Sequence, residues 1–238
     1  MEVSYEASFD GLLPADTEHA FFRRIADVGK ELGFEFCSYG IKIPVPISRP
    51  TVVILDSYPT GWMKHYRDQG YLDVDPTVRR GALSSRPIIW SDETFAPALQ
   101  LWEDARAAGL QFGWAQSARE AGGTFGLLSL ARSTEPLTDN ELRAKQAQLN
   151  CLTEVAHIGM SNLLKPRLVP ETLAVLSARE LEVLRWTADG KTAYEIGRIL
   201  KISERTVNFH VNNAMSKLNA TNKIQASIKA LALGLLSV

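Results

Sequence analysis

Apolar residues recur with helical spacing at both ends of the first two thirds of the chain. In residues 16–32 they fall on one side of a helix, at Phe21, Phe22, Ile25, Val28 and Leu32. Residues 138–164 repeat this spacing over a longer stretch, at Leu142, Leu149, Leu152, Ala156 and Leu163. The pattern predicts an amphipathic helix at the start of this region and a long helix at its end.

Shorter stretches of alternating or helical character fill the region between these two helices. They predict strands at 34–43, 51–55, 112–119 and 124–131, and further helices at 61–69, 75–83 and 93–108. The turn Glu120-Ala121-Gly122-Gly123 indicates a hairpin between the last two strands. Helices first and last around antiparallel strands predict an α+β fold. Its α/β/α sandwich can hold a ligand between the sheet and one helical layer.

The last third of the chain predicts four short helices, which together form a separate all-α unit. Its start and stop signals are two capping boxes, a C-terminal glycine and two hydroxyl N-caps: Ser177 with Glu180, Thr192 with Glu195, Gly190, Ser203 and Thr221. The third helix, residues 204–218, has an apolar side at Val207, Val211, Ala214 and Leu218. Its other side is largely polar.

Asparagine and arginine on an outward helix face can read DNA bases. Asparagine bonds adenine through two hydrogen bonds, and arginine reaches guanine or phosphate. For a lone helix a solvated surface is the simpler interpretation, but the charge argues against it here. From Gly197 to the end of the chain the net charge is +5, whereas the whole chain carries −1. We therefore predict DNA contacts from Arg205, Thr206, Asn208, Phe209, Asn212, Lys201, Lys217 and Lys223.

Length and composition favour two domains in a cytoplasmic protein. The 238 residues contain no apolar run near 18 residues, and the first residues lack the pattern of a secretory signal. Cys37 and Cys151 are far apart in sequence and suit reduced thiols, and no Cys/His spacing indicates a metal. Two prolines mark a linker at 166–175 between domains at 1–165 and 176–238. No cofactor is expected.

Aromatic residues and one acid cluster in the middle of the first domain. Tyr58, Trp62 and Tyr66 follow at intervals of four residues, and Asp75 and Trp90 come soon after. Such residues could hold a small molecule that has one amide N–H and several carbonyls, because Trp and Tyr donate hydrogen bonds and Asp accepts them. From spacing alone, an ordinary core with Asp75 as a helix N-cap is the favoured interpretation.

Specific motifs connect both domains to one known family. The stretch from Leu176 to Leu236, with ARELEVLRWTADGKT and ISERTVNFHVNNAMSKLNATNK, closely resembles the LuxR-type helix-turn-helix. Some members carry Arg or Lys where this chain has Asn208 and Asn212, so the operator sequence does not carry over. The segments YPTGWMKHYRDQGYLDVDPTVRRG, PIIW and FGLLSLAR resemble the autoinducer-binding domain of LuxR-family quorum-sensing receptors.

This resemblance implies a ligand and a set of residues that bind it. In the family a Trp donates to the lactone carbonyl of an N-acyl-homoserine lactone, an Asp accepts the amide N–H, and a Tyr donates to the acyl carbonyl. The matching positions here are Trp62, Asp75 and Tyr58, and Ser129 matches a further donor to the acyl carbonyl. The pocket-wall positions that follow from the resemblance are Trp90, Tyr66, Ser38, Val53, Trp102, Phe112 and Leu127.

The resemblance also implies the partners of the protein. We expect a ligand-responsive transcription factor that binds a two-fold symmetric double-stranded DNA operator as a homodimer and contacts RNA polymerase. The long helix at 138–164 and the exposed side of the last helix are the expected subunit contacts.

The sequence argues against two other classes of function and leaves a third open. A phosphorylation-dependent response regulator needs an acidic pair after its first strand, where this chain has Ile-Lys-Ile-Pro. An enzyme could pair Cys37 with His65 or His157, but Cys37 lies within an apolar strand pattern and a buried structural cysteine is favoured. A sensor of some ligand other than a lactone stays open.

Overall fold

The structure, a computed structural model, describes residues 17–236. The first helix, α1, spans Glu18–Glu31 and begins at Thr17, whose hydroxyl accepts the N–H of Ala20 at 3.2 Å. Its predicted apolar side is confirmed, because Phe21 and Ile25 are fully buried. Residue 16, the predicted start of this helix, and the N-terminal segment tested for a secretory signal lie outside the described residues.

Five strands form one sheet in the order β2-β1-β5-β4-β3. Their bounds are β1 Phe36–Ile43, β2 Thr51–Asp56, β3 Ile88–Ile89, β4 Phe112–Arg119 and β5 Phe125–Arg132. The pairs β1–β5, β4–β5 and β3–β4 are antiparallel, and Ser38 lies directly opposite Ser129. The predicted antiparallel sheet and its hairpin are confirmed.

Helices between β2 and β4 cover the face of the sheet that carries Ser38 and Ser129. They are α2 Trp62–Asp68, α3 Pro76–Leu83, α4 Asp92–Phe95 and α5 Leu99–Ala107, with a 3₁₀ turn at Tyr71–Asp73. The single helix predicted at 93–108 is wrong, because a 3₁₀ turn at Ala96–Ala98 separates α4 from α5. Pro97 has no N–H to continue the helical ladder, and the backbone leaves helical geometry at Ala98.

The long helix α6 spans Asp139–Leu168 and exceeds the predicted end at residue 164. Its first turns are held by Glu141, which receives two hydrogen bonds from Arg132 and one from Lys145. The helix continues through Pro166, and a 3₁₀ turn follows at Pro170–Leu173. The segment 166–175, predicted as an aperiodic linker, therefore has helical structure over much of its length. A proline near the end of a helix removes only one hydrogen bond, and the helix tolerates that loss here.

The last four helices are α7 Ala178–Ala188, α8 Ala193–Leu200, α9 Glu204–Lys217 and α10 Lys223–Ala232. Both predicted capping boxes are present, and Ser203 caps α9 as predicted. The predicted cap of α10 is wrong. Asn222 caps this helix, whereas the N–H and hydroxyl of Thr221 donate to the side-chain oxygen of Gln225. Helices α7, α8 and α9 share a core that contains Val183, Ile196, Val207 and Val211.

The chain divides into two compact units. One consists of residues up to Lys42 with Val52–Arg119 and Phe125–Leu163, and the other of Ile43–Thr51, Glu120–Thr124 and the chain from Leu164 onward. Within the described part of the chain, no helix has the length and apolar character needed to cross a bilayer.

Candidate ligand pocket and DNA-reading helix

Aromatic rings from α2 and the following turn form a buried cluster beside the sheet. Trp62 and Tyr66 lie one helical turn apart with ring centroids separated by 6.1 Å, and Tyr71 lies 6.5 Å from Trp62 and 5.9 Å from Tyr66. Tyr58 and Trp90 pack against the same cluster. The structure thus brings together the aromatic residues that the sequence singled out.

Asp75 is both the N-cap of α3 and the acid of this cluster. Its Oδ1 accepts the backbone N–H of Thr77 at 2.7 Å and the hydroxyl of Thr77 at 2.6 Å. Its Oδ2 accepts the Tyr66 hydroxyl at 2.9 Å. Burial raises the pKa of Asp75, and these hydrogen bonds partly offset that effect. A carboxylate has about four acceptor positions, so one position on Oδ2 can still take an N–H from a ligand.

Three further hydroxyl-bearing residues of the predicted site lie on the sheet or shortly after β2. Burial raises the pKa of the Tyr58 phenol, so this group stays protonated and can donate, and it is hydrogen-bonded to the side chain of Ser38. Ser38 and Ser129 are both buried, and they face each other across β1 and β5. Because opposite residues of antiparallel strands point to the same face, both serines lie on the side of the sheet that α2 and α3 cover.

Trp90 is seated against Gly113, a residue that the sequence reasoning missed. A Cβ on Gly113 would lie 2.2 Å from the Trp90 ring, so only glycine leaves room for the indole. The indole Nε1 of Trp90 is buried, and none of the residues 17–236 accepts its hydrogen bond. A single glycine inside a strand pattern often marks such a close approach, and that signal could have identified Gly113.

Trp102 and Leu127 lie on the same face of the sheet as Ser129. The Trp102 ring stacks on Phe95 at 4.7 Å, and its indole N–H donates to Asp92 at 2.6 Å. Leu127 belongs to a smaller apolar cluster with Ile88, Ala115 and Val78. The indole N–H donor of Trp102 is therefore already used, while Leu127 packs in an apolar cluster and lies opposite the buried Ser117.

Two predicted wall residues, Phe112 and Val53, point away from this site. Phe112 pairs with Arg132, and strand alternation places both on the face opposite Ser129. Gly40 pairs with Leu127, and a Cβ on Gly40 would meet the side chain of Ile54 at 3.7 Å. Ile54 therefore shares the site's face, and its neighbour Val53 does not.

His65 connects α2 to α5 over the aromatic cluster. Its Nε2 lies 2.6 Å from Asp104 Oδ2, which also accepts the Tyr71 hydroxyl, and the Gln100 amide donates to Oδ1 at 2.8 Å. Hydrogen bonds from His65, Tyr71 and Gln100 lower the pKa of Asp104 to about 2.

The candidate nucleophile Cys37 is buried in β1. Burial raises the pKa of its thiol, which disfavours the reactive thiolate. Of the two histidines weighed as its base, His65 bonds Asp104 and the Nδ1 of His157 lies 2.8 Å from the Tyr39 hydroxyl. The favoured interpretation of Cys37 as a buried structural residue is consistent with these contacts.

Helix α9 has a buried apolar side and an exposed, largely polar side, as the sequence predicted. Val207, Val211 and Ala214 are buried, whereas Asn208 and Asn212 are exposed and Phe209 keeps 59% of its surface accessible. Arg205 is also exposed. Thr206 is half-buried, and its hydroxyl lies 2.8 Å from that of the capping Ser203. An exposed aromatic ring between two asparagines gives this face both polar and apolar contact groups.

The lysines near this helix differ in what they contact. Lys201 and Lys223 are exposed. Lys217, in contrast, donates to Glu180 at 2.8 Å, and that carboxylate is only 3% exposed. The Lys217 ammonium therefore neutralises a buried charge, which reduces what it can offer to a phosphate.

Comparison with known proteins identifies both halves of the chain. Residues 17–158 match the autoinducer binding domain, and residues 174–230 match the bacterial regulatory proteins of the luxR family. The transcriptional activator protein SolR of Ralstonia solanacearum is 53% identical over 236 residues, which cover 99% of this chain and all of SolR.

Solved structures give the same result. The crystal structure of Escherichia coli SdiA has a TM-score of 0.84 and 33% identity and covers 98% of both chains. SdiA in complex with octanoyl-rac-glycerol has a TM-score of 0.83. The N-acylhomoserine lactone dependent factor CepR2 of Burkholderia cenocepacia has a TM-score of 0.60 and 33% identity over 68% of this chain and 92% of its own.

The chain belongs to the LuxR family of quorum-sensing transcriptional regulators, which join an autoinducer-binding domain to a helix-turn-helix DNA-binding domain. Its function is therefore ligand-linked regulation of transcription and not catalysis. The match over residues 17–158 also excludes the phospho-acceptor receiver of a response regulator.

Proposed function

We propose that the protein binds an N-acyl-homoserine lactone between the sheet and helices α2 and α3. Asp75 accepts the amide N–H of the ligand, Trp62 donates to the lactone carbonyl, and Tyr58 and Ser129 donate to the acyl carbonyl. Tyr66, Trp90, Trp102 and Ser38 form the polar and aromatic walls. The arrangement around Asp75 carries this proposal, because it leaves one acceptor position beside buried hydroxyl donors.

The lactone and amide head group of the ligand and its acyl tail contribute differently to selectivity. A hydrogen bond from the ligand amide to a buried carboxylate is worth about 1.5–3 kcal/mol. Each buried methylene of the acyl chain adds about 0.8 kcal/mol. The apolar cluster around Leu127 lies on the same face of the sheet and supplies a suitable surface for the tail. The polar residues thus select the head group, and the apolar surface selects the chain length.

The output is proposed to be binding of a two-fold symmetric operator by a homodimer in the cytoplasm. Arg205, Thr206, Asn208, Phe209 and Asn212 meet the bases, and Lys201 and Lys223 meet phosphates, with a smaller contribution from Lys217. Helix α6 and the exposed Ile224 and Ile228 of α10 are the proposed subunit contacts. RNA polymerase is the proposed further partner, and 1–165 and 176–238 are the proposed domain limits.

A second candidate ligand is an acyl glycerol. The related SdiA has been solved with octanoyl-rac-glycerol, which offers hydroxyl donors where a lactone offers an amide N–H. Asp75 could accept a hydroxyl as well as an N–H, because both are single donors.

Thermal unfolding of the purified protein distinguishes these ligands. The midpoint would be measured with acyl-homoserine lactones from four to twelve carbons and with octanoyl glycerol. A ligand that binds the folded state raises the midpoint by mass action, so a rise that depends on chain length supports a lactone receptor. A rise with octanoyl glycerol alone would favour the second candidate. A folded protein that responds to no member of the panel would contradict both.

A further inference from the structure

Lys229 is a basic residue of the DNA-reading region that is turned inward. Its side chain is 12% exposed, and its ammonium donates to Glu171 Oε1 at 2.9 Å, to the Leu218 carbonyl at 3.0 Å and to the Asn219 carbonyl at 2.9 Å. An ammonium has three N–H donors, and these three acceptors use all of them. Lys229 therefore adds to the +5 charge of this region but has no donor left for a phosphate.

The two carbonyls belong to the C-terminal end of α9, the proposed recognition helix. Leu218 is the C-cap of α9, and Asn219 follows with a left-handed φ of 47°. Carbonyls at a helix C-terminus have no partner within the helix and favour a nearby cation. Lys229 supplies both the hydrogen bonds and the positive charge.

The third acceptor of the Lys229 ammonium, Glu171, belongs to a different segment of the chain. Glu171 lies in the 3₁₀ turn Pro170–Leu173, before α7, and its carboxylate is 15% exposed. Burial raises the pKa of Glu171, but hydrogen bonding and the charge of Lys229 outweigh it, so the net pKa is lowered and the carboxylate is ionised at neutral pH. A single ammonium on α10 thus connects this turn to the end of α9.

We propose that Lys229 is a positioning residue for DNA reading. By holding the end of α9 against α10 and the turn Pro170–Leu173, it fixes the direction in which Asn208 and Asn212 point. The Lys217–Glu180 pair braces the last turn of α9 against α7 in a similar way. The inference rests on the proposed DNA-reading function of α9.

The test uses the full-length protein with the ligand found by thermal unfolding. An operator is first selected from a random duplex library by the wild-type protein. Affinity for this operator and for random duplex DNA is then measured over a range of salt concentrations. Lys229→Gln is the test variant, and Lys223→Gln on the exposed start of the same helix is the control. Glu171→Gln removes the charge from the other partner and replaces Lys229→Gln if that variant fails to fold.

Lys229→Gln and Glu171→Gln should each weaken operator binding by roughly tenfold, the size of one mismatched base pair. Binding to random DNA should change by less than about twofold, with no change of salt dependence, because no phosphate contact is lost. Lys223→Gln should weaken binding to both DNAs and lower the salt slope by about 0.9 for each protomer.

Two results would overturn the inference while leaving the proposed function intact. Equal losses on operator and random DNA would mean that Lys229 only stabilises the fold, and a shallower salt slope would mean that it contacts phosphate. If the wild-type protein selects no operator, the DNA-reading function fails, and the inference fails with it.

Discussion

The proposed ligand pocket and the proposed recognition helix α9 use polar residues in opposite ways. In the pocket, Asp75 and Tyr66 bond each other, and burial raises the pKa of both groups. On α9, Asn208 and Asn212 are exposed, while Lys217 of α9 and Lys229 of α10 form ion pairs with Glu180 and Glu171. The proposed pocket keeps its polar groups largely buried, whereas the proposed recognition helix exposes Asn208 and Asn212, and its end is held by ion pairs with the largely buried carboxylates of Glu180 and Glu171. Substitutions of buried polar groups should therefore change stability, binding or both, whereas substitutions of the exposed asparagines should change binding alone.

The largest expected effect concerns a brace of the ligand-binding half, Glu141. Glu141→Gln should lower the free energy of unfolding by about 3–5 kcal/mol, because it leaves the buried Arg132 without its carboxylate partner. Urea unfolding at pH 7 measures this loss. The exposed Glu154→Gln on the same helix is the control and should stay within about 0.5 kcal/mol of the wild type.

The pH dependence of stability is a second test of the Arg132–Glu141 pair. Arg132 lowers the pKa of Glu141 to about 2, below its ordinary value of 4.5. The folded state then holds fewer protons than the unfolded state, so this stabilisation is present above the ordinary pKa and is lost as the pH falls towards 2. Glu141→Gln should make the free energy of unfolding depend less on pH between pH 4.5 and about pH 2. An unchanged acid profile would show that the pair does not govern acid stability.

Asp75 should show opposite effects on stability and on ligand binding. Burial raises its pKa, so its charged form costs stability at neutral pH, and Asp75→Asn should not lower the stability of the free protein. Asparagine also caps a helix about as well as aspartate. Loss of the charge-assisted bond should weaken lactone binding by about 1.5–3 kcal/mol. Thermal unfolding with and without ligand measures both effects.

The exposed neighbour Asp73 provides a matched control for this substitution. Asp73→Asn changes the same functional group on the solvent side and should leave both measurements unchanged. If Asp75→Asn retained the full response to the lactone, the proposed orientation of the ligand amide would be wrong.

Asn208 should affect DNA binding and leave stability unchanged. Asn208→Ala should weaken binding to a selected operator by about 1–3 kcal/mol, because it removes a two-bond contact with a base. Its exposed position should keep the unfolding free energy within about 0.5 kcal/mol of the wild type. Competition binding on operator and random DNA provides the measurement, and an equal loss on both would exclude base reading by Asn208.

Helices and strands were predictable where burial of one face imposes a period. Phe21 and Ile25 of α1 and Val207 and Val211 of α9 are buried at the positions that the period requires. The capping boxes were predictable because they depend on residues only three apart. The polar core of the site, at Asp75 and its neighbours, came from family resemblance more than from spacing.

Features that depend on contacts distant in sequence were not predictable. The wrong placement of Val53 and Phe112 is a matter of one residue, since a single step along a strand reverses the face to which a side chain points. Gly113 matters only because the Trp90 ring occupies the space beside it. The inward position of Lys229, which contributes to the +5 charge after Gly197, was not predictable because its acceptors lie 10, 11 and 58 residues away.

The smallest expected effect concerns Phe209, the exposed ring of the reading face. An apolar side chain in the major groove can contact the methyl group of thymine. A single methyl group is worth about 0.8 kcal/mol when buried. Replacing one thymine of the selected operator by uracil should therefore weaken binding by roughly that amount at the position Phe209 contacts. A series of operators with single uracil substitutions locates this position.

Comparing the wild type and Phe209→Ala on both the thymine and the uracil operator shows whether Phe209 causes this small effect. Uracil differs from thymine only by the methyl group, so the hydrogen bonds of Asn208 and Asn212 with the bases are unaffected by the change. The variant should bind thymine and uracil operators equally, because the contacting ring is gone, while the wild type distinguishes them. If the variant still distinguished them, the methyl group would be read elsewhere. The ring of Phe209, which is 59% exposed, would then not be the group that contacts this methyl.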